Sequence, residues 1–368
     1  MMASNDGPGQ ALWSAQTNLP YLTAELAGCG GVLKAEIGDF EVEEIPAYEP
    51  SGTGEHLFVW LEKRGLDARG LTRHLAAALE VREHDIGVAG LKDARAVTRQ
   101  YVSVPATCEP RLARIDSAAV RVLRAARHGN KLKTGHLRGN RFRLLLRDVG
   151  AEALPHAQAV VERLRQRGVP NYFGLQRFGR DGETLRLGLA QLSGERQRRL
   201  GHFLLRLALS SVQSALFNVQ LAERVSAGTL GRVLPGEVMQ VVASGGPFVA
   251  DDPDREQARL DAHEIVPAGP MFGPKMRSPK GEALTCEQAL LTRFGLAPEA
   301  FAHFGKLLRG TRRALTIWPA ELSVAAVGAH LEVRLALPKG SYATVAMREL
   351  MKDEVAGLEE ADGPEEDA

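Results

Sequence analysis

Apolar and polar residues alternate from 37 to 45 around Phe40, Val42 and Ile45, and again from 56 to 61 around Leu57, Val59 and Leu61, which predicts two strands. Between about residues 66 and 79 the period changes. Leu71, Leu75 and Leu79 recur every fourth position, the spacing of one helical face. Strand patterns return at 102–104, 119–123 and 141–147, and 153–167 reads as a helix stopped by Gly168 and Pro170. Short alternating strands that arrive in pairs, without regular strand–helix–strand spacing, predict a mixed sheet of antiparallel character.

The pattern shifts between about 182 and 313. A helical run over 203–225 is followed by the Gly/Pro-rich stretch 228–279, in which short apolar pieces such as 238–242 predict strands among long loops. This reads as a separate module. Alternation then resumes over 331–337, and 341–350 predicts a helix with Ser341 as N-cap. At 368 residues the chain exceeds the size at which one core stops growing, so two domains are expected.

Formal net charge is +1, but residues 352–368 carry eight acids against one lysine. Without them 45 basic residues face 37 acidic ones, a body of +8 that suits a polyanionic partner, beside an acidic tail expected to be disordered. Three cysteines, far apart and without a C-x-x-C pair, argue against a disulfide framework or a cysteine-built zinc site and fit a reducing cytoplasm. The N-terminus lacks the basic start and apolar core of a secretory signal, and no run reaches membrane-spanning length. A soluble protein, without an obligate protein partner, is expected.

Chemistry concentrates at residues 88–100. Asp93 follows Lys92 between small positions, Gly90 permits a tight turn, and Tyr101 to Val104 alternate like a strand, which places the carboxylate in a turn entering a sheet. On the residues alone, Asp93 reads first as a turn residue accepting hydrogen bonds from its own loop, with Lys92 as an exposed ion-pair partner. Gly90, Lys92, Asp93, Ala96, Thr98 and Gln100, six positions in eleven, are similar to the G-x-K-D-x-x-A-x-T-x-Q signature of the family that converts uridine 13 of transfer RNA to pseudouridine. Three further segments extend the resemblance. Lys34, Asp39, Phe40, Val42 and Glu44 match K-x-x-P-E-D-F-x-V-x-E, with Ile37 and Gly38 where proline and glutamate are usual; Asn171 to Gly179 match N-Y-F-G-x-Q-R-F-G; and Gly340 to Thr344 match G-S-Y-A-T.

The resemblance implies an α+β fold, with a pseudouridine-synthase-type catalytic domain built on a mixed, largely antiparallel sheet. That domain, residues 1–181 and 314–351, is interrupted by an inserted α/β domain over 182–313 and followed by the tail from 352. It implies Asp93 as the catalytic residue, Asn171 as the group orienting it, Phe173 as the ring stacking on the extruded base, and no redox or metal cofactor. Lys34 and Lys92 are candidate active-site supports, with three alternatives open for each: pairing with Asp93, contact with phosphate, or neither. Tyr172 and Phe178 are expected in the core.

From Arg121 to Arg147 nine lysines and arginines occur without an acid. Arg127, Lys131, Lys133 and Arg138 are therefore candidate contacts to the RNA backbone, against the alternative of a solvated basic face. His128 and His136 lie within this span, RNA-facing or structural rather than metal ligands, since no third ligand keeps a characteristic spacing. A phosphate-loop nucleotide enzyme is disfavoured, because the glycine clusters lack the lysine–serine ending such loops use. A non-catalytic RNA-binding protein accounts for the basic span but not for the Asp93 signature, and a glycoside hydrolase would pair Asp93 with Asp39 or Glu44.

Overall fold

The inward parity of Leu57, Val59 and Leu61 continues through the whole of strand His56–Arg64, the second-from-edge strand of a nine-stranded sheet. The computed structural model describes residues 7–194 and 199–352, so the acidic stretch expected as a tail lies, from residue 353, outside the described residues. The chain divides into two compact units, Glu25–Gln166 with Trp318–Ala368, and Met1–Ala24 with Arg167–Ile317.

The first unit holds the large sheet. Its strands run in the order Ala320–Val327, His330–Pro338, Leu137–Arg147, Phe40–Pro46, Val97–Pro105, His56–Arg64, Val120–His128, with Val32–Leu33 added on Leu137–Arg147 and Gly87–Val88 on Val97–Pro105. Every pairing is antiparallel except one: Phe40–Pro46 runs parallel to Val97–Pro105, with Glu41 beside Val97 and Val42 beside Thr98. This is the mixed, largely antiparallel sheet expected. Helix Ala68–Leu79 lays Leu71, Leu75 and Leu79 against Leu57, Val59, Leu61, Val102 and Val104, all buried. Each of those helix leucines contributes roughly 1.5–3 kcal/mol by leaving water. Asp67 starts the helix by accepting the Gly70 N–H (2.5 Å), and Glu80 ends it in a left-handed conformation. Helix Ala153–Arg167 is present with the expected bounds.

Two local expectations fail. The predicted strand from 37 begins only at Phe40, because Ile37–Asp39 forms a 3-10 turn in which Asp39 accepts the Glu36 N–H (2.7 Å), leaving Ile37 exposed. Likewise the last helix runs Ala343–Met351 with Tyr342, not Ser341, at the N-cap.

In the second unit, helix His202–Ser226 is buried along its middle from Leu209 to Leu221, apart from Ser210 and Gln220. Strand Ile265–Met271 is buried at all seven positions and lies between Val238–Val241 and Thr311–Ala314, with Pro247–Val249 at the edge, all antiparallel. Arg312 and Glu287 form a two-pronged pair (2.5 and 3.0 Å) deep in this unit, and burial pushes the Glu287 carboxyl up while Arg312 pulls it down. Arg312→Ala strands a buried carboxylate, so a loss of about 3–5 kcal/mol is expected. Thermal unfolding checks this, and an unchanged midpoint would show the pair to be dispensable. Among the described residues no helix is long and apolar enough to cross a membrane, and all three cysteines are free, with Cys29 and Cys108 buried.

Candidate active site

The single parallel pairing explains why distant residues meet. Strands Phe40–Pro46 and Val97–Pro105 begin at the same end of the sheet, so the turns that feed them, around Lys34–Asp39 and Ala89–Ala96, lie side by side. Strand His56–Arg64 runs the other way and finishes there, with Lys63 opposite Thr98 and Arg64 opposite Val97. Three segments therefore converge on Asp93.

Lys34 Nζ donates to Asp93 Oδ2 at 3.1 Å and sits 4.1 Å above the Phe40 ring. The lysine side chain is 5% exposed and the aspartate 30%, so the cation is enclosed and the carboxylate is the open member. Asp93 Oδ1 meets no donor among the described residues. Lys34 also has a positive φ of 61°, an unfavourable conformation for a side-chain-bearing residue, and Arg95 donates to its carbonyl (3.1 Å). Strain of this kind persists where the surroundings impose it and concentrates at functional positions.

Lys92 turns inward, contrary to the exposed partner that the turn reading gave it. Its Nζ lies 3.4 Å from Glu44 Oε2, both side chains buried. Burial raises the Glu44 carboxyl above its ordinary range, and the Lys92 charge and the Tyr101 N–H oppose that rise. Of the two lysines, then, Lys34 meets Asp93 and Lys92 meets the buried Glu44. At Gly90 φ is not positive, and a Cβ there would stand 3.3 Å from Lys92 Nζ, a tight contact that the end of the lysine side chain would have to relieve. The carboxylates that a glycoside hydrolase would use are committed elsewhere, Asp39 to the Arg147 guanidinium (2.8–3.0 Å) and Glu44 to Lys92.

Lys63 is the residue that sequence reasoning missed. Fully buried, its Nζ donates to three main-chain carbonyls, Leu66 (2.5 Å), Lys92 (3.2 Å) and Asp93 (2.9 Å), and so clamps the backbone that carries the carboxylate. A signal was present: Lys63 continues the inward parity of Leu57, Val59 and Leu61, and a lysine on a core-facing position needs a dedicated set of acceptors.

Asn171 and Phe173 belong to the other unit. Within it, the Asn171 amide donates to Ala314 O (2.9 Å) and accepts from Arg313 (2.7 Å). Phe173 is buried, its backbone N–H and C=O both engaged by Asn218 (2.8 and 2.9 Å), its ring under the Arg313 guanidinium (4.0 Å) and edge-on to Phe217. Tyr172 and Phe178 are buried in the core, as expected.

The basic span is less uniform than its sequence. Val120–His128 is an edge strand, whereas Leu137–Arg147 lies inside the sheet, where acids of neighbouring strands meet it, Arg141 pairing with Glu43 and Glu321 and Arg143 with Glu41 and Glu332, while Arg147 pairs with Asp39 of the 3-10 turn. Arg124 pairs with Glu49, and Arg127 with Glu109 at 2.6 Å. Lys131, Lys133 and Arg138 have no acidic partner among the described residues, and Lys131 Nζ donates to the His84 carbonyl. No group of three or more His, Cys, Asp or Glu among the described residues is arranged to hold a metal ion.

The chain matches the family model described as tRNA pseudouridine synthase D (TruD) over residues 16–203 and 197–350. It is 45% identical over 351 residues to the tRNA pseudouridine synthase D of an Anaeromyxobacter species, covering 94% of this chain and 99% of that one. It is 43% identical over 350 residues to that of Thermus thermophilus, covering 95% and 96%. The crystal structure of the Methanosarcina mazei protein assigned as tRNA pseudouridine synthase D superposes with a TM-score of 0.76 at 26% identity, over 93% of this chain and 98% of that one.

Proposed function

This chain belongs to the tRNA pseudouridine synthase D (TruD) family, and from that membership we propose that it isomerises uridine to pseudouridine in transfer RNA, at position 13, with Asp93 as the reacting carboxylate. One observation carries the reading: at the end of the sheet where three segments converge, Asp93 presents an oxygen that meets no donor among the described residues while Lys34 holds the other and Lys63 fixes the backbone. A turn aspartate that only closes its own loop needs neither lysine.

The reaction breaks the N1–C1′ bond, rotates the uracil without releasing it, and joins C5 to C1′ with loss of the C5 hydrogen. A carboxylate serves this by adding to the base or to C1′, or by removing a sugar proton after cleavage. Each of these roles requires a fixed and reachable oxygen, which is what the two lysines supply. Family likeness assigns Phe173 to hold the extruded ring and Asn171 to orient the carboxylate. Base stacking is worth about 1–3 kcal/mol, and for Phe173 it requires that the Arg313 guanidinium yield its place over the ring. The division into a catalytic core and a module over 182–313 that grips the body of the transfer RNA is part of the same proposal. No cofactor has a role in this scheme.

The test of position is to treat an unmodified transfer-RNA transcript with the purified protein and map pseudouridine by carbodiimide labelling. Modification at uridine 13 is expected, and modification elsewhere alone would overturn the positional assignment. For the backbone contacts, Lys133→Ala with Arg138→Ala is expected to weaken binding and lower the log–log salt slope by about one for each phosphate no longer neutralised. Arg127, already engaged by Glu109, is expected to contribute less than either. An unchanged slope in the double variant would assign Lys133 and Arg138 to a solvated face.

A further inference from the structure

An open pocket of ≈ 540 Å³ lies in the unit that carries Asp93, lined by Tyr48, His128, Lys131, Lys133 and His136 together with Glu49 and Asn130. None of the residues around Asp93 lines it. One wall is the connection between strands Val120–His128 and Leu137–Arg147, which is stitched to the approach to the Asp93 turn: Gly135 N–H donates to Ala89 O and Leu132 N–H to Ser103 Oγ. The opposite wall is the loop after Phe40–Pro46, held close because Gly54, at φ +125°, packs its backbone against His128 and Gly129, where a Cβ would come within 2.6 Å. The pocket is therefore a built feature of the fold.

Its chemistry is one-sided. The Ser51 backbone N–H can only donate, so His128 Nδ1 accepts it (3.2 Å) and the neutral imidazole carries its proton on Nε2 as a donor. Lys131 donates to the His84 carbonyl, and neither it nor Lys133 has an acidic partner among the described residues. The one lining acid, Glu49, has its charge balanced by Arg124, which meets its Oε2 at 3.4 Å beside the Tyr101 hydroxyl (3.2 Å). Donors and positive charge remain, alongside the stacked rings of Tyr48 and His128 and the Tyr48 hydroxyl joined to His136 Nδ1 at 2.6 Å. The volume falls within the roughly 300–1,000 Å³ of small-ligand sites. An acceptor-rich, anionic, nucleotide-sized group fits that lining.

We propose that this pocket takes one nucleotide of the transfer RNA other than the reacting uridine, its phosphate held by Lys131 and Lys133 and the acceptor edge of its base met by His128. The proposal rests on the reading of the chain as a transfer-RNA isomerase, and it adds a site that fixes where along the RNA the strand is held. Single-stranded and extruded bases are the features by which proteins read RNA, and a donor-lined pocket beside two lysines suits that mode.

Two experiments on the full chain test it. In the first, Asn130→p-benzoylphenylalanine is photo-cross-linked to unmodified transfer RNA and the adduct mapped by reverse-transcription stops, with tritium release from C5-labelled uridine followed in the same preparation. A cross-link confined to one nucleotide other than the modified uridine is expected. Cross-links that are absent, scattered, or on the modified uridine itself would overturn the proposal if tritium is still released. Absence of tritium release from the parent protein would instead bring down the isomerase reading. In the second, His128→Phe keeps a ring against Tyr48 and removes the donor. KM is expected to rise about tenfold with the single-turnover rate at saturating RNA unchanged. An unchanged KM with a lowered unfolding midpoint would reduce His128 to packing and contradict the proposal.

Discussion

Asp93→Asn is expected to bind transfer RNA nearly as well as the parent and to turn it over about 10⁴-fold more slowly, the loss that follows when the reacting carboxylate of the proposal is replaced by an inert group of the same shape. The amide oxygen still accepts from Lys34, and Lys34 keeps the Phe40 ring beneath it, so the fold has little reason to change. A drop in stability of about 1 kcal/mol from the weakened pair is expected. Asparagine often fills the turn positions that aspartate fills, so a purely structural Asp93 would leave turnover intact in this variant. Binding by filter retention, unfolding by circular dichroism and single-turnover rates separate the two outcomes.

Lys63→Met is expected to lower the single-turnover rate by about 10²-fold, although Lys63 touches no reacting atom. Methionine fills much of the volume but strands three carbonyl oxygens, two of them on Lys92 and Asp93 themselves. The unpartnered backbone acceptors cost about 1–3 kcal/mol each if they stay buried, so the turn relaxes instead, and a displacement of about 1 Å at the carboxylate is enough for a loss of that order. KM is expected to stay close to the parent value, because the proposed phosphate contacts lie elsewhere. A variant with a lowered unfolding midpoint but full single-turnover activity, measured well below that midpoint, would leave Lys63 a structural residue only.

Local periodicity makes much of the fold legible in the sequence itself. The four-residue spacing of Leu71, Leu75 and Leu79 marks a helix whose buried face is those three residues, and Gly168, at φ +75°, closes helix Ala153–Arg167 as its sequence suggests. Alternation around Phe40 and Val42 marks a strand, but it does not show that Asp39 closes a 3-10 turn just before it, since that turn depends on an Arg147 guanidinium far along the chain. The order of strands is illegible for the same reason. The parallel register that brings Lys34, Lys63 and Asp93 to one end of the sheet is a long-range pairing with no local signature.

The candidate site is legible where chemistry and spacing coincide and illegible where tertiary contacts decide a side chain's fate. Asp93 stands out through the pattern around it. Lys92 and Lys34 are interchangeable in sequence, and only the buried Glu44 beneath one and the open carboxylate beside the other separate them. The acid-free run from Arg121 to Arg147 overstates its free charge, because an interior strand is neutralised by its neighbours: Glu41, Glu43, Glu321 and Glu332 are remote in sequence and adjacent in the sheet. Of the cations left without an acidic partner among the described residues, Arg121 lies on the edge strand Val120–His128, while Lys131, Lys133 and Arg138 sit in or beside the connection that follows it.

The central claim is that this chain exchanges the C5 hydrogen of a transfer-RNA uridine for its own glycosidic carbon through Asp93. Its most direct measurement is tritium released from transfer RNA labelled at uridine C5, counted against pseudouridine recovered from the same digest, for the parent protein and Asp93→Asn side by side with intact mass confirming that no deamidation has restored the aspartate. One tritium released per pseudouridine formed by the parent, and none by Asp93→Asn, is the predicted result. Labelled free uracil from the parent, or substantial tritium release by Asp93→Asn, would contradict the account.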